Sequence, residues 1–141
     1  MAYMKLKTII FNTIFLISTV FILSSCSKKK NSSLDAPQPT NIKKYEITGN
    51  YSGQLSVAYT NASGATESTT VTSLPWTLEL TFAPSVGGMG MGGNSVIGKT
   101  GAAGQLVTVK MYSKGVVVQS GNATADANGI INLPGLGYSF Q

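Results

Sequence analysis

Trp76-Thr77-Leu78-Glu79-Leu80-Thr81-Phe82 alternates apolar and polar residues without a break. In an extended chain successive side chains point to opposite faces, so Trp76, Leu78, Leu80 and Phe82 share one face and Thr77, Glu79 and Thr81 the other. That is a strand with one side toward a core, and Trp76, in phase with three apolar neighbours, reads as a core residue. The stretches around it read alike. Lys44-Tyr45-Glu46-Ile47-Thr48 puts Tyr45 and Ile47 together, and Leu55-Ser56-Val57-Ala58-Tyr59 repeats the pattern. Asn61-Ala62-Ser63-Gly64 has the chemistry of a hairpin turn and leads into Thr66 to Thr72, a Thr-rich run suited to a sheet edge or a solvated face. Downstream, Ser95-Val96-Ile97-Gly98 reads as a short strand and Gly101-Ala102-Ala103-Gly104 as a turn. Leu106 to Ser113 places Val107, Val109 and Met111 on one face, and Lys114-Gly115 turns it into Val116-Val117-Val118-Gln119-Ser120. Asp126-Ala127-Asn128-Gly129 is a further tight turn ahead of Ile130 to Leu133. Past the N-terminal apolar run no window carries a helical period. About seven or eight short strands with frequent turns predict an all-β domain, an antiparallel β-sandwich, with a small barrel as the alternative.

Between these strands lies Val86 to Asn94, with Gly87, Gly88, Gly90, Gly92 and Gly93 around Met89 and Met91. It lacks the Lys-Ser/Thr ending of a phosphate-binding loop, and no helix follows to present its N-terminus. Two readings remain: a flexible connection between sheets, or an adaptable surface on which Met89 and Met91 offer soft apolar area to a partner.

The N-terminus has a different texture. Lys5 and Lys7 precede Thr8 to Leu23, an uncharged and mostly apolar run that closes on Leu23-Ser24-Ser25-Cys26. A positive region, an apolar region and small residues at a cleavage point make a secretory signal. The run falls short of the ~20 apolar residues that span a bilayer, so a retained membrane helix is the poorer reading. Leu23, Ser24 and Ser25 before Cys26 resemble the lipobox of bacterial lipoproteins. That resemblance implies acylation of the Cys26 sulfur, cleavage just before it, and anchoring in a membrane by more than one acyl chain. At ~0.8 kcal/mol per buried methylene, two or three chains hold far more firmly than one. Ser27 to Lys44 combines Lys28-Lys29-Lys30, a polar Asn31-Ser32-Ser33 and Pro37 and Pro39, with too little apolar surface to offset the entropy of ordering it. It reads as a tether, with the Lys triplet either solvated or resting on anionic head groups. The expected organisation is a signal peptide over 1–25, the acylated Cys and tether over 26–44, and the β-sandwich domain over 45–141.

Charge and composition exclude several functions. The formal net charge of +5 comes from the N-terminal third. From Tyr45 onward Lys99, Lys110 and Lys114 face Glu46, Glu67, Glu79 and Asp126, so the domain carries no basic stripe for nucleic acid. Cys26 is the one cysteine, which leaves no intramolecular disulfide. There is no histidine, which removes the commonest metal ligand and the usual base for a serine nucleophile. A Ser-Lys dyad has no motif behind it. The four carboxylates are isolated in the sequence, and paired acid–base chemistry needs two that converge to ~5–9.5 Å. Asp126 and Asn128 suit an Asx turn better than calcium. No enzyme activity, metal or cofactor is expected. Tyr45, Tyr51, Tyr59, Trp76, Tyr112, Tyr138 and Phe140 could include a sugar-stacking platform, although the phase of Trp76 argues for the core.

The order of landmarks in the domain resembles the extracytoplasmic domain of the mycobacterial small membrane protein family, MmpS. These landmarks are Tyr45-Glu46-Ile47-Thr48-Gly49, a strand ending in an aromatic at Val57 to Tyr59, Leu74-Pro75-Trp76, and the Met111 to Val117 hairpin through Gly115. The resemblance runs from Tyr45 to near Leu133 and implies an immunoglobulin-like sandwich. The chain departs from the family twice. It has no cysteine near Val109, where the family carries the first of a pair, and it has a lipid-anchor signal where the family has a membrane helix beside large exporters. The expectation is therefore a lipid-anchored, non-enzymatic envelope protein that binds a partner protein, as an accessory to export in the family's manner. The competing class is a ligand module for a glycan or lipid. By analogy with lipoprotein sorting, Ser27 after Cys26 points to an outer membrane, and the absence of acidic residues behind the Cys points to a periplasm-facing domain.

Overall fold

β1 (Ile42–Gly49), β2 (Leu55–Thr60), β3 (Thr66–Val71), β4 (Trp76–Thr81), β5 (Gly88–Ser95), β6 (Leu106–Ser113), β7 (Val116–Thr124) and β8 (Asn132–Ser139) follow one another along the chain. They are seen in a computed structural model that describes residues 41–141. Leu23, Ser24, Ser25 and Cys26, and the tether up to residue 40, lie outside the described residues. Every pairing is antiparallel. One four-stranded sheet has the order β4-β1-β6-β7 and the other β3-β2-β5-β8, and the two share one core. This is the expected sandwich, in the architecture that immunoglobulin-like domains share. The order of strands within it differs from the ABED and CFG sheets of an immunoglobulin constant domain.

The alternation read from the sequence decides which side chains go inside. Tyr45 and Ile47 of β1, Leu55, Val57 and Tyr59 of β2, and Val107, Val109 and Met111 of β6 are all buried. β4 keeps its phase, yet Trp76, Leu78 and Leu80 are only half-buried, because β4 is an edge strand with a neighbour on one side. Trp76 still packs on the core, its ring centroid 6.4 Å from that of Tyr59. The Thr-rich β3 is the edge of the second sheet.

Four expectations need correction. β1 begins at Ile42, so Ile42, Lys43 and Lys44 are strand residues and not the end of a tether. Register explains this: Ile42 faces Thr81 on one side and Lys43 faces Ser113 on the other, so both neighbours extend β1 backward. The Gly-rich segment is no loose connection. Gly88 to Ser95 is the inner strand β5, hydrogen-bonded to β2 and β8, and its glycines let backbones come close. A Cβ on Gly93 would collide with the Ser56 carbonyl oxygen and approach the Val57 Cα to 3.1 Å. Finally, the short strand expected at Ser95 to Gly98 ends at Ser95, leaving Ile97 98% exposed in a loop. The last strand, expected over Ile130 to Leu133, runs instead from Asn132 to Ser139 through Pro134.

Tyr45 ties the sheets together. It lies fully buried on β1, and its hydroxyl donates to the Thr60 carbonyl at the end of β2, at 2.7 Å. Burial pushes its pKa up to about 12. The raised value favours the neutral phenol in the folded state. The stabilisation is therefore complete below the ordinary phenol pKa of ~10 and is lost as pH rises through about 12. Ultraviolet titration of the phenolates is expected to show a late step, coincident with alkaline unfolding, that Tyr45→Phe removes. Persistence of that step in Tyr45→Phe would rule the assignment out.

Candidate functional site

Met89 and Met91 are 3% and 4% exposed. They occupy alternate positions on β5 with glycines between them, so both point into the core and neither offers surface to a partner. The signal was present: Gly88-Met89-Gly90-Met91-Gly92 has the period of a strand buried on one face. Cys26, with Leu23, Ser24 and Ser25, lies outside the described residues.

The carboxylates are dispersed, and Glu46, Glu67 and Asp126 each have a local task. Glu46 is held on the outer face of the first sheet by the Lys44 ammonium at 3.0 Å and the Tyr112 hydroxyl at 2.8 Å, with Lys110 at 4.0 Å. The hydrogen bond from Lys44, then that from Tyr112, keeps its pKa below the usual carboxylate range. Lys44 also sits 4.0 Å from the centroid of the Tyr112 ring. Glu67 accepts from the Asn61 amide, and Asp126 accepts from the Asn128 and Ile130 amides as an Asx turn. Among the described residues no group of three His, Cys, Asp or Glu gathers as a metal site would require. Nor is any helix there long and apolar enough to cross a membrane. The aromatic residues divide likewise. Tyr45, Tyr51 and Tyr59 are core, Tyr112 lies beneath Lys44, and Tyr138 packs on Phe140 at 5.9 Å.

Two surface features remain, and both depend on strand order. The first is the outer edge of β7. Each sheet has two edge strands, and three of the four carry a charge or a proline that discourages pairing. β3 has Glu67, β4 has Glu79, and β8 has Pro134. β7 has neither over its nine residues, Val116 to Thr124, and carries only a bulge at Val118. Its inner side pairs with β6 with a bulge near Met111 and Tyr112, and no strand among the described residues pairs with its outer side. Val116 and Val117 at its start are 65% and 44% exposed.

The second feature is a pair of adjoining hollows at the end of the sandwich where β1 begins, of about 190 and 290 Å³. Lys43, Lys114, Phe140 and Gln141 line both. Lys43 is in phase with Tyr45 and Ile47, so a lysine occupies a core-facing position and is 5% exposed. Its ammonium donates to the Ser113 hydroxyl at 2.8 Å and lies 4.2 Å from the Phe140 ring centroid. Lys114 stands in the β6–β7 turn, where positive φ at both Lys114 and Gly115 makes a tight two-residue hairpin.

Comparison with family models, with curated proteins and with solved structures found no match. Sequence reading missed both features, because neither the edge position of β7 nor the core-facing position of Lys43 is a property of a single segment.

Proposed function

We propose that this chain is a non-enzymatic lipoprotein of the cell envelope, anchored through acylated Cys26, that binds an extended segment of a partner protein along β7. The unpaired start of β7 carries the proposal, since farther along Gly121 lies against Pro134 and Leu136 of β8. An unpaired strand offers a row of backbone donors and acceptors to an incoming strand, and exposed Val116 and Val117 add apolar contact beside it. Uncharged composition leaves nothing to repel the newcomer. The anchor rests on the apolar run closing in Leu23-Ser24-Ser25-Cys26, and an outer-membrane, periplasm-facing position on the residues that follow Cys26. The MmpS-like order of landmarks supports a role beside an export system, with the lipid anchor in place of the family's membrane helix.

A photo-crosslinking residue at Val117, in intact cells, is expected to give one discrete adduct, and the same residue at Thr69 on β3 none. Gln119→Lys should diminish the adduct while changing folding stability by no more than ~0.5 kcal/mol, as for most exposed substitutions. Cys26→Ala should abolish labelling by a fatty-acid analogue together with the adduct. Equal adducts from β3 and β7, or none from β7, would defeat the edge reading; unchanged acyl labelling would defeat the anchor.

A further inference from the structure

We propose that the Lys43–Lys114 hollows, which adjoin the start of β7 at Val116, form a binding site for a phosphate group, free or as a monoester. A buried ammonium is costly unless its charge and its three N–H donors find partners. Lys43 spends one donor on Ser113 and rests on the face of Phe140, which supplies only part of what water would. The ion pairs among the described residues, Lys44–Glu46 and Lys110–Glu46, do not include it. The acidic residues lie elsewhere. Glu46 and Glu79 are on the outer face of the first sheet, Glu67 is on β3, and Asp126 is in a turn at the opposite end. Lys114 lines both hollows with it. Desolvation first, and Lys114 second, lower the Lys43 pKa.

Two ammoniums match a group that carries about −1.5 to −2 charge near pH 7, which a phosphate monoester does and a single carboxylate does not. The hollows are several times the ~30 Å³ share of a water molecule. Their walls of Phe82, Tyr138 and Phe140 give a carbon body something to rest on. The stem of Lys43 packs between the sheets while its head reaches the rim, the geometry in which a lysine serves as a fixed point charge.

The test is an amide NMR titration of the full acylated chain in detergent micelles, at constant ionic strength held by sodium chloride. The probes are inorganic phosphate and glycerol 3-phosphate. Saturable shifts confined to Ser113, Lys114, Gly115 and Phe140 are expected. Lys114→Gln, an exposed change that leaves the fold intact, should weaken binding by about tenfold, the usual worth of a hydrogen bond to a charged group. Lys43→Met, which keeps the volume of the stem, should abolish it. Equal affinity for both probes supports a site for free phosphate, and tighter binding of glycerol 3-phosphate supports a monoester with an organic body. Shifts reproduced by sodium chloride, or unaltered in Lys114→Gln, overturn the proposal.

Discussion

Met91→Ala is expected to destabilise the domain by about 2–5 kcal/mol, the range for removing a buried methionine side chain. The value separates the two readings that the Gly-rich segment permits. A methionine on an adaptable surface would lose no more than ~0.5 kcal/mol. Met91 is instead buried, on a strand flanked by β2 and β8, and faces the common core. Neighbouring glycines carry no side chains that could move into the space, so little of the cavity would be refilled. Denaturant unfolding measures this directly: the midpoint should fall with the slope unchanged. A shift near zero would return Met91 to the surface and remove β5 from the core.

Gly129→Ala is expected to be at least as severe, at ~3 kcal/mol or more. Gly129 has a φ of +72°, a conformation that costs an L-residue about 1–2 kcal/mol. The added methyl would also run into the Gly101 carbonyl oxygen, and overpacking adds about 1–3 kcal/mol. The site cannot easily yield, because it is tied from both sides. The buried Tyr51 hydroxyl donates to the Gly129 carbonyl at 3.0 Å and accepts from the Gly101 amide at 3.1 Å. Gly104→Ala is the control. Its φ of +75° imposes similar backbone strain, but its Cβ would meet open space, so the difference between the two variants isolates the collision. Comparable losses from both would show that the loops can part, contrary to the expectation.

Local patterns carried most of the fold, and pairwise facts carried the rest. The period-two phase of Tyr45/Ile47, Leu55/Val57/Tyr59 and Val107/Val109/Met111 could be read from the chain because it belongs to each segment alone. The turns at Asn61–Gly64, Lys114–Gly115 and Asp126–Gly129 were legible for the same reason. β5 was overlooked because glycine scores as loop, although Met89 and Met91 kept strand phase; its order comes from two neighbours that no local reading supplies. Lys43 falls in the apolar-poor stretch that reads as a tether, and only pairing with Ser113 and the ring of Phe140 shows a lysine facing inward. β7 looked like one half of a hairpin, which it is. That its other side is unpaired follows from the order of four strands, a long-range result of folding.

Three thioethers, Met89, Met91 and Met111, lie within a few per cent of complete burial in the same core. Oxidation would turn each into a polar sulfoxide that this interior has no means of solvating. A peroxide can reach them only when the sheets momentarily separate. In the periplasm-facing position proposed for this protein, the rate of sulfoxide formation would therefore act as a clock for how often the sandwich breathes, and the first such event would make the next one easier.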